Sequence, residues 1–313
     1  VLASRSSIFV VQEGALSGLP LSVLVASAPQ GADDDPEALR DTDWLMRHFA
    51  VTTLPSVSSL LTQRRYRNPV QPSAAFAGFG DPVFQAPRVI AAATPAQSVA
   101  GYYTRGLADP EALSALPPLP GTRREVLALA RTLEAPEGAV WLGVEASETA
   151  VKSSDLLRRA SVVAFATHGL IAGDISGLAE PALAFSPPAV ASVQDDGLLT
   201  ASEVTGLSLS ADWVILSACN TAAPDGSPGG EGLSGLANAF FYAGARSLLV
   251  SHWPVRDDAA AWLTQHAVES VAQQDAGYGE ALRRAMLELM QTEALPGAFH
   301  PAVWAPFAVV GAG

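Results

Sequence analysis

Cysteine is nearly absent from this sequence. Cys219 stands alone in 313 residues, which excludes an intrachain disulfide and leaves no CxxC or Cys/His cluster for a zinc site. Histidine is scarce as well. The five, His48, His168, His252, His266 and His300, show no HExxH or similar ligand spacing. Basic residues are outnumbered, 18 Lys and Arg against 31 Asp and Glu, for a net charge of −13. That balance argues against nucleic acid, whose binding needs clustered cations to displace counterions. It favours a basic partner or substrate, though acidity also serves solubility. No uninterrupted apolar run of about 18 residues occurs, so no transmembrane helix is expected. The opening "VLASRSSIFVVQEG" lacks the charged start and long apolar middle of a signal peptide. It begins on Val1 rather than Met, as a fragment or processed product does. A reducing, cytoplasmic compartment is the expectation.

What is present is apolar: 49% hydrophobic against 16% charged residues, the composition of a packed globular protein. A chain of this length exceeds what one core usually supports, so one large α/β unit or two packed subdomains are expected. Two α/β halves are read, at 1–120 and 121–313. In the first, "SIFVV" and "LSVLVAS" read as strands around the turn "QEGALSGLP". "FAVTTLPSVSSLLTQRR" reads as strand, Ser56 cap and helix, and "SAAFAGFGDP" as a buried strand. From about 85 to 120 the chain is a Pro/Ala-rich connection holding one short helix near Asp109–Leu116.

The second half is more regular. Thr122-x-x-Glu125 reads as a capping box opening the helix "REVLALARTLE", and Thr200-x-x-Glu203 as another. "AVWLG" reads as a strand, and Ser147 caps one helix, "ETAVKSSDLLRRA". Strands follow at "SVVAFATHG", "PALAFS", "DWVILSACN" and "RSLLVSHW". Between the last two lies a helix, "LSGLANAFFYAGA", whose positions 233, 236, 237 and 240 form one apolar face. Amphipathic helices are expected at roughly 257–273 and 277–292. The runs "VVAFA", "WVIL" and "SLLV" are apolar throughout, as in strands buried on both faces of a parallel sheet. Alternation of strand and helix then gives a doubly covered α/β sheet.

Ligands of open α/β sheets bind outside the carboxyl ends of the strands. Two reactive side chains follow such ends: His168 after "VVAFAT" and Cys219 after "WVILSA". If those strands are neighbours, a spacing of about 4.8 Å brings both groups to one rim. There an imidazole can take the thiol proton and free a thiolate nucleophile. Otherwise Cys219 is buried filler, as free cysteines often are. His252, after "SLLVS", is the rival base. His168 is preferred because Gly169 lets a backbone N–H approach a substrate oxygen. His48 lies beside Arg47, His266 falls inside a helix and His300 precedes Pro301. A formal GxGxxG, Gly230-x-Gly232-x-x-Gly235, is followed downstream by Asp257 and Asp258. It begins eleven residues after Cys219, whereas a dinucleotide fingerprint needs its first glycine directly after the strand. A loop beside the cysteine is the simpler reading.

Together "FATHG", "LSACNTA", "GEGLSGLANAFFYAGARSLLVSHWPV" and "HPAVWAPFAVVG" resemble the CHAT family, caspase-like cysteine peptidases related to separase and often found after tetratricopeptide repeats. In the first half "VVQEGALSGLPLSVLV", "LPSVSSLL" and "GFGDP" resemble it too, so the likeness covers nearly the whole chain. It implies an α/β fold with a caspase-like, mostly parallel sheet flanked by helices. It implies an N-terminal degenerate caspase-like half (1–120) without its own catalytic pair, and a catalytic half (121–313). By the same resemblance His168 and Cys219 form the dyad, the N–H groups of Gly169 and Cys219 form an oxyanion hole, and Ser251 and Trp253 contact the peptide.

The reading is therefore a cysteine endopeptidase that needs no metal or organic cofactor. Its expected partners are a protein or peptide substrate and a regulatory partner protein or upstream repeat module, with neither nucleic acid nor membrane. Basic residues before the scissile bond would suit rim acids such as Asp174, Asp225, Glu231 or Asp257, though no spacing singles one out. A latent or pseudo-peptidase scaffold that binds peptide is the alternative, with the Gly/Pro-rich loop Ala222–Gly232 ordered by a partner. A nucleotide-binding protein acting through the GxGxxG is the third.

Overall fold

The apolar runs are strands in a single large sheet. The computed structural model describes residues 5–12, 14–32, 35–59, 71–85, 110–175, 178–218, 221 and 235–311. Eight strands form the sheet: β1 (Ser7–Val10), β2 (Ala50–Thr53), β3 (Ala74–Pro82), β4 (Val140–Gly143), β5 (Ala160–Ala166), β9 (Trp213–Ser217), β10 (Ser247–Ser251) and β11 (Phe307–Gly311). Their order is β1-β2-β11-β10-β9-β5-β3-β4. Neighbours run parallel except β10 and β11, which are antiparallel. Three short strands, β6 (Gly169–Leu170), β7 (Ala182–Ala184) and β8 (Leu198–Thr200), make a separate antiparallel sheet. Strands from both sides of residue 120 share the large sheet, with β3 lying between β5 and β4.

The described helices of the first segment are α1 (Pro36–Asp41), α2 (Leu45–His48) and α3 (Pro110–Ser114). Then come α4 (Pro120–Thr132), α5 (Glu148–Ser153), α6 (Asp155–Arg159), α7 (Ala201–Val204) and α8 (Gly235–Ala243). The long pair α9 (Asp257–Gln274) and α10 (Tyr278–Gln291) is followed by α11 (Pro301–Trp304).

Both faces of the large sheet are covered, which is why its strands do not alternate. Trp213 and Ile215 of β9 join a core with Val126 and Leu129 of α4, Leu263 of α9 and Leu289 of α10. Val214 and Leu216 face the other way, into a core with Val151, Leu157, Val204 and Phe240. Leu236, Ala237 and Phe240 of α8 are buried as the periodicity requires.

Local readings differ at three places. "LSVLVAS" is not a strand. Pro20 opens a 3-10 turn at Leu21–Val23, and only Val25 makes a bridge, to Trp44. Strand propensity without a free sheet edge beside it leaves a turn whose Leu24 carbonyl is met by the Leu45 N–H. Ser56 accepts from the Ser59 N–H as a cap does and residues 57–59 are helical, while the rest of the helix expected there lies outside the described residues. Thr122 and Glu125 form no capping box, because Pro120, preset for a first turn, starts α4 earlier with Leu119 as its cap. The helix expected after Ser147 is two, α5 and α6, each with its own serine cap, Ser147 and Ser154. The capping box at Thr200 and Glu203 is present.

Candidate active site

β5 and β9 are neighbours, and Ala166, the last residue of β5, is in register with Ser217, the last of β9. Two residues on from each come His168 and Cys219, so the two segments leave the sheet side by side at the same level. Cys219 itself lies outside the described residues. So do Asp225, Glu231, Gly230 and Gly232.

His168 is held from outside its own strand. Its Nε2 lies 2.8 Å from the carbonyl oxygen of Pro117, in the Pro-rich connection. A carbonyl only accepts, so this bond places the ring proton on Nε2 and leaves the Nδ1 lone pair free to act as a base. The Phe84 ring packs against the imidazole with centroids 5.5 Å apart. A backbone acceptor has no side-chain signature, so no residue type in the sequence marks it. Gly169, in β6, sits opposite Leu183. The Ala184 N–H donates to the His168 carbonyl at 2.9 Å, so Gly169 and Leu183 form a non-hydrogen-bonded pair and the Gly169 N–H points away from β7.

His252, the rival base, follows β10. Burial pushes its pKa down to about 4, leaving it neutral at pH 7. Its Nδ1 has no partner among the described residues. The remaining histidines have structural roles: His48 pairs with Asp43 at 2.5 Å, His266 stacks on Trp262 with centroids 4.1 Å apart, and His300 caps α11.

The two residues expected at the peptide are placed differently from one another. Ser251 is fully buried, and its hydroxyl donates to the Ala218 carbonyl at 2.5 Å. It stands at the end of β10, and its hydroxyl reaches the main chain just past the end of the neighbouring β9. Trp253, just past the end of β10, is half-buried and donates through Nε1 to the Ala302 carbonyl at 3.0 Å.

Beside His168 opens a small cleft of about 50 Å³ with Glu125, Ser217, Ala218 and Asp257 in its wall and, among the described residues, no Lys or Arg. Asp257, the first residue of α9, stands against the start of α4. A Cβ added at Gly121 would come within 2.8 Å of the Asp257 Cβ. Of the other rim acids, Asp174 accepts from the Ile171 N–H at 2.9 Å; Asp258, beside Asp257, pairs with Arg256 at 2.6 Å.

Glu125 was missed as a site residue, its spacing from Thr122 having mimicked a cap. It is buried, accepting from the Ser217 hydroxyl at 3.1 Å and the Thr264 hydroxyl at 2.9 Å. Burial pushes its pKa up to about 7 from 4.5, against the pull of those hydroxyls and with a further push from Asp257. The folded state therefore holds a proton, between pH 4.5 and 7, that the unfolded chain has lost. Stability falls as pH rises through that window, by roughly 3 kcal/mol for this one group. Glu125→Gln is expected to flatten the stability profile between pH 5 and 7.5 by about that much, read by denaturant unfolding at the two ends. An unchanged slope would contradict the assignment.

A mostly parallel, doubly covered sheet with a histidine at the carboxyl end of one strand and a cysteine-bearing segment beside it is the caspase-like architecture of cysteine proteases. A profile of the CHAT domain matches residues 2–312, and the chain belongs to that family. Among solved structures, the Arg-specific cysteine proteinase gingipain R is similar with a TM-score of 0.52 at 10% identity, over 98% of this chain and 62% of that one. The Saccharomyces cerevisiae separase–securin complex is similar with a TM-score of 0.46 at 13% identity, over 88% of this chain and 14% of that one. Tetratricopeptide repeat protein 28 of Mus musculus is 32% identical over 160 residues, 46% of this chain. The chain spans only 6% of that relative's length.

Proposed function

We propose that the chain is a cysteine endopeptidase in which His168 and Cys219 act as a dyad on peptide bonds that follow a basic residue. The observation that carries this reading is the pairing of β5 with β9, which sends both segments off the sheet in register, together with the Pro117 bond that frees Nδ1 of His168. Nδ1 takes the thiol proton of Cys219, and the thiolate attacks the carbonyl carbon. The Gly169 and Cys219 N–H groups hold the tetrahedral oxyanion. The C–N bond breaks as His168 returns the proton to the leaving amine, and Trp253 supports the bound peptide. Water, losing a proton to His168, then opens the thioester, releasing the acid and restoring the thiol.

Glu125 and Asp257 support the basic preference: a cleft beside the dyad with two carboxyl groups and no Lys or Arg among the described residues of its wall suits a guanidinium or ammonium. The likeness to a protein named for tetratricopeptide repeats supports work beside such a module or a regulatory partner. Cleavage of a diverse fluorogenic peptide library tests the reading. Peptides with Arg or Lys before the scissile bond are expected to dominate. A folded wild type that cuts nothing in the library would favour the peptide-binding scaffold instead.

A further inference from the structure

At its first strand the large sheet ends on an unguarded edge. β1 reads "SIFV", with no charged residue and no proline to discourage a further strand. The Ser6 and Val10 carbonyls accept from the Ala50 and Leu54 N–H groups, both at 2.8 Å. Main-chain groups alternate in direction along a strand, so Ser6, Ile8 and Val10 pair with β2 while Ser7 and Phe9 present theirs outward. Those outward groups have no partner among the described residues, and Phe9 is 42% exposed.

Beside this edge lies an open groove of about 390 Å³. Its floor is Ala50 and Thr52 of β2. The first turn of α10 rests on them so closely that a Cβ at Gly279 would come within 2.6 Å of the Thr52 hydroxyl oxygen. Ser7 and Phe9, in register with Ala50 and Thr52, carry the groove out to the free edge. Arg283 and Arg284 stand on the helix side, and both pair with one acid, Glu280, at 2.8 and 2.9 Å. Two guanidinium groups against one carboxylate leave the groove with positive charge to spare, in a chain whose net charge is −13.

We propose that β1 docks a partner protein by strand addition. An extended, acidic segment of about five residues pairs with the outward groups of Ser7 and Phe9 and turns carboxylates into the groove toward Arg283 and Arg284. A second copy of this chain is the poorer occupant: its own β1 brings no carboxylate, and two chains of this net charge repel. In the sheet order β1 stands four places from β9, roughly 19 Å away at the spacing of neighbouring strands. The docked segment therefore leaves the cleft beside His168 free, and the proposal is independent of the peptidase reading.

Fluorescence anisotropy with short, end-capped peptides tests this on the whole chain. One peptide alternates glutamate with valine. A second replaces its glutamates by lysine, and a third replaces its valines by proline, which keeps the charge and removes the strand. The first is expected to bind saturably and at least about tenfold more tightly than either other. Ser7→Pro, which removes an outward N–H and none that bonds to β2, is expected to weaken it at least about tenfold, as is Arg284→Glu. Cys219→Ala is expected to bind it as wild type does. The peptide comparison needs wild type alone, so it decides the matter even where a variant fails to fold. No saturable binding at about 1 mM, equal binding of the lysine or proline peptide, or an unchanged affinity in either folded variant would overturn the proposal. So would sedimentation showing wild type as a dimer that Ser7→Pro makes a monomer, since the edge then belongs to a second copy.

Discussion

His168→Ala is expected to lower kcat by roughly 10³-fold or more while the protein stays folded. Most of that loss is the general base. Without it the thiol must lose its proton to water, and the leaving amine has no donor. The ring lies past the end of β5, where among the described residues it has the Phe84 contact and the Pro117 bond to lose, so the fold is expected to survive its removal. His252→Ala is the control. That ring is half-buried and neutral at pH 7, and its loss is expected to act on stability, with kcat within about tenfold of wild type. If His252→Ala abolished cleavage and His168→Ala did not, the base assignment would be reversed. Steady-state kinetics on both variants, with folding checked by circular dichroism, decide it.

The second large effect is on substrate charge. A peptide with Arg before the scissile bond is expected to exceed its citrulline counterpart, which is isosteric but neutral, by about 10² in kcat/KM. That corresponds to pairing one largely desolvated charge with the cleft carboxyls, about 3 kcal/mol within the 2–5 kcal/mol typical of such pairs. Asp257→Asn is expected to remove much of the difference. The pH dependence has a defined sign. Glu125 titrates near 7 and is ionised above it, so the Arg-to-citrulline ratio rises between pH 6 and 8. In Glu125→Gln the ratio is expected to stay flat. Equal rates for the two peptides at every pH would remove the basic preference and leave the dyad untouched.

The parts of this account that were legible in the sequence are those written in side chains over short range. The runs "VVAFA" and "WVIL" announced doubly buried strands because covering both faces removes alternation. The strand-end positions of His168 and Cys219 followed from where those runs stop. What depends on pairing was not legible. β3, from the first third of the chain, lies beside β5, and no local pattern announces a crossover of that length. The family resemblance alone puts Ser251 at the peptide, while its bond to the Ala218 carbonyl depends on β9 lying beside β10, which no local pattern shows. Glu125 imitated a capping residue, and only the start of α4 at Pro120 shows that it faces the cleft. The group orienting His168 is a main-chain oxygen 51 residues away in sequence, which no residue type encodes.

The central claim is that Cys219 is a nucleophile activated by His168. The most direct test is the intact mass of the protein after incubation with a peptidyl chloromethyl ketone carrying arginine next to the reactive group. The account predicts one covalent adduct on Cys219, formed rapidly in wild type, slowed by orders of magnitude in His168→Ala and absent in Cys219→Ala. A wild type that reacts no faster than its own denatured chain would contradict it, leaving Cys219 an ordinary thiol in a protease-like fold.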